Sequence, residues 1–309
     1  MENIIKAERL KKNYSSFNAV NGISFAVKKG EIFGLLGPNG AGKTTTIRML
    51  TGILKPTEGE VHIGKYNIQK ESMEARQIMG IVPEMADAYI DLSAIRNLLL
   101  TGELYGIEKE KSIKKAEDLL KMFHLYEKRN QKVKTFSKGM KQRLILAMAL
   151  MNDADILFLD EPTSGLDVES VRLIRDLIRK FNQEGVTIFL TTHNIKEADL
   201  LCDRVAIMNY GKIMAIDRPE MLKSVIKKTS SVEVAFKNLV EEKVFNFKEI
   251  IEVKKMGDKF QLYGNKMEDI ILFLINHSQK TNNEIISLKI LEPSLEDIFV
   301  KLTQKNENF

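Results

Sequence analysis

The stretch Ile32–Leu36, IFGLL, followed by Gly37–Thr45, GPNGAGKTT, decides the fold. A short apolar run leads into the pattern G-x-x-x-x-G-K-[ST], and a helix-like segment follows it. A loop that wraps a polyphosphate needs many backbone N–H donors at close range, so side chains must be absent where it bends. We therefore expect phosphate contacts from the whole loop: Gly37, Pro38, Asn39, Gly40, Ala41, Gly42, Lys43, Thr44 and Thr45.

Two side chains of this loop have a more specific chemistry. Lys43 can reach the β- and γ-phosphates as a point charge, and the Thr44 hydroxyl can ligate Mg²⁺. The helix that begins near Lys43 points the positive end of its dipole at the phosphates. The alternative is a glycine-rich turn without a ligand, and the strand before the loop argues against it.

A second stretch, ILFLDEPTSGLD at 156–167, supports this interpretation. Asp160 ends an apolar strand, at the edge of an open α/β sheet where ligands bind, and would hold Mg²⁺ directly or through water. Glu161 is the next residue, and its side chain is expected to point in another direction than that of Asp160. That position suits a general base that polarises the attacking water. The alternative is an acidic strand end that caps the next turn.

The first two thirds of the chain have an α/β pattern. EIFGLLG, ILFLD, TIFLTTH and RVAIMN are typical of strands buried on both faces of a parallel sheet, with helices such as Thr44–Leu54 and Val168–Asn182 between them. GISFAVKKGE alternates like an antiparallel strand, and the region 84–150 is predicted to be a helical insert. One face of its KSIKKAEDLLKMFHL segment would carry the apolar side chains Ile113, Ala116, Leu119, Leu120 and Phe123.

The pattern changes near Ile226–Ser231, and we predict domains at 1–228 and 229–309. The second is expected to be a small α+β domain containing the strands SVEVAF and EIISLKI, the helix MEDIILFLINHS, and a hairpin turning at Gly257-Asp258. Its last helix, SLEDIFVKLT, has Ser294 as N-cap with Asp297 completing a pattern like a capping box.

Composition narrows the classes of function. The 309 residues are 44% hydrophobic and 29% charged, with a net charge of +5. The sequence has no long Lys/Arg block of the kind that binds nucleic acid, which argues against that function. Cys202 is the only cysteine and is expected to be a small core residue, and the four histidines have no zinc-type spacing. The longest apolar run, Leu144–Met151, is too short to cross a bilayer, so a membrane role would need a partner chain.

With these residues in hand, the segment 2–220 resembles the nucleotide-binding subunit of ATP-binding cassette (ABC) transporters. Gly37–Thr45 matches its Walker A motif and Ile156–Glu161 its Walker B motif with the catalytic glutamate. The resemblance implies that Tyr14 stacks on adenine, a role for which neighbouring Phe17 could compete. It also implies that Ser164–Asp167 is the D-loop between two protomers, with Asp167 at the nucleotide, and that His193 is the switch histidine at the γ-phosphate.

FSKGMKQR, at 136–143, is located where this family has its signature, LSGGQ. Ser137 and Gly139 are present, while Lys138 and Met140 replace the first glycine and the glutamine. The resemblance implies that Ser137 and Gly139 bind the γ-phosphate of ATP held by the opposite protomer. Two alternatives stay open for Lys138: a charge near the phosphates, or a solvent-facing side chain.

Glu84 departs from the family pattern, which has a glutamine after a strand and a proline. A carboxylate can ligate Mg²⁺ or orient water, but it cannot donate the hydrogen bonds of an amide. The hypothesis is that Glu84 is a functional residue of this Q-loop, and the alternative is an ordinary exposed glutamate.

The last eighty residues, above all EPSLEDIFVKLT, resemble the C-terminal extension of ATPases from drug and antibiotic exporters. Together the resemblances imply a Mg²⁺-dependent ATPase that powers a separate membrane permease, as a homodimer at the cytoplasmic face of the membrane and without nucleic acid. Two other interpretations stay open. One is a soluble ABC-type ATPase acting on ribosomes or DNA, whose relatives usually carry two cassettes or a coiled-coil insertion. The other is a nucleotide sensor without turnover.

Overall fold

A computed structural model describes residues 2–15, 17–84, 88–224, 231–264, 266–291, 295–296 and 298–299. The chain divides into two compact units, Met1–Arg218 and Pro219–Phe309, whereas the sequence predicted a boundary between residues 228 and 229. Ser294 and Asp297, the predicted cap of the last helix, lie outside the described residues.

The first unit contains strands, helices and short 3₁₀ turns. The strands are β1 Asn3–Tyr14, β2 Phe17–Lys28, β3 Ile32–Leu36, β4 Glu58–Ile63, β5 Tyr66–Asn67, β6 Met79–Val82, β7 Ile156–Asp160, β8 Thr187–Thr192, β9 Arg204–Asn209 and β10 Lys212–Asp217. The helices are α1 Lys43–Leu50, α2 Ser72–Gln77, α3 Ala94–Leu104, α4 Lys109–Met122, α5 Lys138–Ala149, α6 Val168–Gln183 and α7 Ile195–Leu201. The 3₁₀ turns span Tyr126–Lys128 and Val133–Thr135.

The central sheet has the order β10-β9-β3-β8-β7-β6, and all neighbours except β9 and β10 are parallel. Every residue of β3, β7 and β8 is buried, as expected for strands covered on both faces. Because the strands are parallel, their carboxyl ends share one edge of the sheet. The phosphate-loop motif, Asp160 and His193 all lie at the ends of strands on that edge.

A second sheet, with the order β2-β1-β4-β5, is antiparallel. Aromatic rings link it to the central sheet, because Phe25 of β2 stacks on Phe33 of β3 with ring centroids 5.5 Å apart. Phe33 in turn stacks on Phe189 of β8 at 5.6 Å, and both belong to the same apolar core. This core supports the edge that carries the motifs.

The predicted helical insert is present between β6 and β7 as α3, α4 and α5. Four of the five predicted apolar positions of α4 and its end are buried, but Ile113 is 38% exposed. Buried Ser112 takes its place, since it lies so close to Gly102 of α3 that a β-carbon on that glycine would overlap the Ser112 hydroxyl. The close approach of α3 turns the buried stripe of α4 toward Ser112 and Ala116.

The second unit is a four-stranded antiparallel sheet in the order β12-β13-β11-β14 with one long helix on it. Its helices and strands are α8 Pro219–Ser224, β11 Ser231–Phe236, β12 Ile250–Met256, β13 Lys259–Gly264, α9 Met267–Thr281 and β14 Ile285–Leu291, and a 3₁₀ turn spans Glu242–Phe245. The hairpin turns at Gly257 and Asp258 as predicted, with Gly257 at a φ of 66°. Across the described part of the chain, no helix combines the length and apolarity that crossing a membrane requires.

Candidate nucleotide-binding site

The phosphate loop connects β3 to α1 and takes its shape from its glycines. Gly42, the N-cap of α1, has a φ of 106°, and a β-carbon there would come within 2.5 Å of the Ala19 carbonyl oxygen. Gly40 also lies at positive φ, at 80°. Only glycine adopts this path without strain, and the first N–H groups of α1 have no partner within the helix. The loop can therefore present several backbone donors to an anion.

Lys43 places a cation at the base of the loop. Its side chain is only 6% exposed, and Nζ donates to the carbonyl oxygens of Gly37 and Pro38 at 2.9 and 3.3 Å. Nζ also lies 3.4 Å from Oε1 of Glu161. A buried ammonium needs compensation of this kind, and a phosphate could replace the carboxylate as its counter-charge.

The structure brings the two predicted acids to the same place. Asp160 ends β7 and is buried, and its Oδ1 accepts from the Thr44 hydroxyl at 3.5 Å. Glu161 lies at a φ of 51°, a conformation uncommon for a residue with a side chain, and its Oε2 is 2.8 Å from Nδ1 of His193. An ionised carboxylate can only accept, so this contact is a hydrogen bond in the His193 tautomer that carries a proton on Nδ1. Thr44, Asp160, Glu161 and His193 thus form one cluster with Lys43.

Thr191 supports both acids and was not predicted from the sequence. It lies directly opposite Asp160 in the parallel register, and its hydroxyl donates to Oδ1 of that aspartate. The Glu161 backbone N–H lies 3.1 Å from the Thr191 carbonyl oxygen and 3.2 Å from its hydroxyl. The signal available in the sequence was the pair of threonines directly before His193, at the end of a neighbouring strand.

A cleft of about 420 Å³ opens beside the loop. Tyr14 and Phe17 both line it and lie opposite each other in the antiparallel register. Either ring is therefore available for stacking on the adenine ring of a nucleotide. Glu84 lines the same cleft and is exposed. The predicted adenine and Q-loop positions therefore border the cleft that holds Lys43 and Glu161.

The oxygen donors suit a magnesium–nucleotide complex. Within the described residues, no group of three or more His, Cys, Asp or Glu side chains could hold a metal ion. The Thr44 hydroxyl and the Asp160 carboxylate are hard oxygen ligands 3.5 Å apart. Mg²⁺ is usually held by one or two protein oxygens together with substrate phosphates and water, and this pair fits that pattern.

The signature stretch is not at this cleft; Ser137, Gly139 and Asp167 line no part of it. Ser137 caps α5 by accepting from the Met140 N–H at 3.3 Å. Gly139 is buried against α6, where a β-carbon would overlap the Ser170 hydroxyl and lie 2.9 Å from its Cβ. Its small size is therefore required by packing within this chain as well as by any phosphate contact.

Asp167 is the N-cap of α6. Its two carboxylate oxygens accept from the Ser170 N–H and hydroxyl at 2.8 and 2.9 Å. These hydrogen bonds, the backbone one first, hold the pKa of the Asp167 carboxyl below its ordinary value. Asp167 and Gly139 thus meet at Ser170.

The cations of FSKGMKQR have different environments. Arg143 is turned inward, with Nε and a terminal nitrogen donating to the carbonyl oxygens of Gly139 and Phe123 at 3.3 and 3.0 Å. Burial lowers the pKa of its guanidinium, against the opposing effects of Glu169 and Asp167. Lys138 is exposed, and its amine lies against Gly165 of the D-loop. The exposure agrees with the solvent-facing alternative, while the contact with Gly165, in the predicted D-loop of the same chain, was not predicted.

Known proteins share both the sequence and the fold. The ABC transporter family model matches residues 20–164. The linearmycin resistance ATP-binding protein LnrL of Bacillus subtilis is 34% identical over 305 residues, covering 97% of this chain and 98% of its own. A Nod factor export ATP-binding protein I from Ralstonia nicotianae is also 34% identical, with coverages of 97% and 94%.

Two solved structures agree. The ATP-binding subunit of an ABC transporter has a TM-score of 0.67 at 27% identity, covering 72% of this chain and 93% of that one. A dimeric ATP-binding cassette in a post-hydrolysis state with ADP and Pi has a TM-score of 0.64 at 28% identity, with coverages of 69% and 98%.

This chain belongs to the ATP-binding proteins of ABC transporters. It is an ATP-binding and ATP-hydrolysing subunit of the kind that works with a membrane permease, which confirms the predicted family, fold class and activity. The sensor without turnover is therefore wrong. The match to these two relatives covers 97% of this chain and 98% and 94% of their own lengths, which favours the transporter over the two-cassette soluble class.

Proposed function

We propose that this subunit powers an exporter of drugs, antibiotics or similar molecules, docked on a separate permease at the cytoplasmic face of the membrane. Support comes from relatives concerned with linearmycin resistance and Nod factor export that match both units of the chain. Residues after Glu84 and the helical insert would meet the permease. The D-loop and signature would belong to a head-to-tail homodimer that closes on two ATP molecules.

The observation that carries the catalytic proposal is the placement of Glu161 between Lys43 and His193. One carboxylate oxygen would take the proton of the water that attacks the γ-phosphorus, while His193 orients the other.

Lys43 and the loop N–H groups would bind the phosphates, and Tyr14 or Phe17 would bind the adenine. Thr44 and Asp160, with Glu84 nearby, would hold Mg²⁺, which neutralises charge on the β- and γ-phosphates when bound.

Glu161→Gln tests this proposal. The amide keeps the shape of the side chain but is not basic, so we expect phosphate release to fall by at least about 10²-fold while ATP binding persists. Size-exclusion chromatography with ATP and Mg²⁺ should then show a trapped dimer. Glu184→Gln, an exposed glutamate after the far end of α6, is the control. Normal hydrolysis by the Glu161 variant would mean that it is not the base.

Glu84 is proposed to adjust the turnover rate from the edge of the cleft. Its carboxylate adds negative charge beside the phosphates, and Glu84→Gln and Glu84→Ala both remove that charge, so both variants should shift kcat in the same direction. Steady-state ATPase assays at saturating Mg²⁺ measure both. If the two variants match the wild type, Glu84 is an ordinary exposed residue.

A further inference from the structure

A buried carboxylate outside the cleft links the segments that carry Glu161 and His193. Glu197 lies in α7 and is only 1% exposed. Its Oε1 accepts from the Thr163 hydroxyl at 2.6 Å, and its Oε2 from the Thr192 hydroxyl at 2.8 Å. Arg175 of α6 adds a third donor, with Nε 3.4 Å from Oε1. The buried charge is thus compensated by one cation and two hydroxyls.

The partners of Glu197 are neighbours of the catalytic groups in the chain. Thr163 follows Glu161 by two residues, and Thr192 directly precedes His193. The backbone carbonyl of Thr192 also accepts from the N–H of Gly37, at 3.3 Å, where the phosphate loop begins. The segments that carry Glu161 and His193 therefore meet at one side chain that does not itself line the cleft, and the phosphate loop is bonded to the second of these segments.

At the start of α7 the N-cap bond is ordinary, since the Asn194 side chain accepts from the Glu197 N–H at 3.2 Å, but the return bond of a capping box is replaced. Asn194 is the N-cap, and Glu197 occupies the position from which a glutamate usually returns to the N-cap N–H. Here the Asn194 N–H is accepted by the Thr192 hydroxyl at 3.0 Å, and that hydroxyl donates onward to Glu197. The glutamate is thereby free to reach Thr163, on the loop after β7.

We propose that Glu197 is a positioning residue for hydrolysis, which fixes the loop after Glu161 against the strand end before His193. The proposal rests on the proposed catalytic roles of Glu161 and His193. Without this link the Glu161–His193 contact would lose its fixed geometry, and a displacement of about 1 Å at a reacting group can cost on the order of 10²-fold in rate. ATP binding uses the loop, Lys43 and the aromatic rings, so it should be retained.

The first test is Glu197→Gln in the full chain. An amide offers one acceptor oxygen where the carboxylate has two, so it cannot accept from all three donors in the same geometry. We expect kcat to fall at least about tenfold, with KM for ATP and the Kd of ATP within about twofold of wild type. Glu31→Gln is the matched control: Glu31 is also buried and paired with an arginine, Arg204, but precedes β3 at the opposite end of the strand.

A second pair of variants decides the question even if Glu197→Gln folds poorly. Thr163→Val removes the hydroxyl at nearly constant volume, and Thr163→Ser keeps it. Thr163→Val should lower kcat in the same way, and Thr163→Ser should restore it. Unchanged kcat in Thr163→Val, or equal losses in the Val and Ser variants, would overturn the proposal, as would a parallel loss of ATP binding and turnover in Glu197→Gln.

Failure of this inference can be told apart from failure of the proposed function. If Glu161→Gln is inactive while Glu197→Gln and Thr163→Val hydrolyse normally, only the positioning role is wrong. If Glu161→Gln hydrolyses normally, the assignment of the base fails first. Glu161→Gln combined with Glu197→Gln should still form an ATP-bound dimer, and loss of that dimer would show that Glu197 serves folding or binding instead.

Discussion

Gly139 shows how one absent side chain connects two motifs. The resemblance to ABC ATPases implied that it binds phosphate. The structure adds a reason for its small size, since the space beside it is filled by Ser170 of α6. That neighbour could not be predicted, because it depends on how α5 and α6 pack and not on any pattern near Gly139.

Gly139→Ala is therefore expected to destabilise the monomer without any nucleotide present. Overpacking of this kind costs about 1–3 kcal/mol, measurable by urea denaturation. Ser170→Gly removes the obstructing atoms, so the double variant should lose less stability than the two single variants combined. Strictly additive losses would contradict the proposed steric conflict between the two positions.

At the scale of elements, strands buried on both faces were predictable, and irregular ones were not. β3, β7, β8 and β9 each contain an apolar run of three residues or more, and each was predicted close to its observed bounds. β1 was missed because its alternation breaks where Arg9 adopts a φ of 47° and the pairing shifts between Ala7 and Leu10. In α4 the buried face includes Ser112 instead of the predicted Ile113, because α3 packs against the side of the helix that carries Ser112.

The start of α6 offers a test of helix capping by pH. The pKa of Asp167 is lowered by its hydrogen bonds to Ser170, so the cap stabilises the fold above about pH 3.8, the ordinary aspartate value, and is lost as pH falls through the lower folded-state pKa. A carboxyl NMR titration should give a midpoint below 3.8 for Asp167. Ser170→Ala removes only the hydroxyl donor and should move that midpoint upward. A wild-type midpoint at or above 3.8 would contradict the capping geometry.

At the scale of the whole molecule, one chain carries two separated halves of a proposed site. The cleft holds Lys43, Glu161 and the aromatic rings, while Ser137 and Gly139 lie outside it. The motifs could be predicted from the sequence because each depends on local spacing. The contacts of Thr191 and Glu197 could not, since hydroxyls and carboxylates far apart in the chain meet only after the parallel strands align.

Mixing two defective chains tests the proposed head-to-tail dimer. Lys43→Ala removes the phosphate-binding cation, and Ser137→Arg blocks the signature. In a mixed dimer, one site combines an intact loop with an intact signature, so mixing should restore ATPase activity that neither variant has alone. No recovery, although light scattering shows mixed dimers with ATP, would indicate that each site is complete within one chain.

The open aromatic wall of the cleft also has a spectroscopic consequence. The chain contains no tryptophan, and Tyr14 borders the cleft and is 47% exposed. An indole introduced by Tyr14→Trp would be the sole tryptophan fluorophore of the protein, so excitation at its red edge would select the cleft alone. A purine stacked on it would quench that emission, and stopped-flow records could then follow the arrival and departure of nucleotide in real time without any added dye.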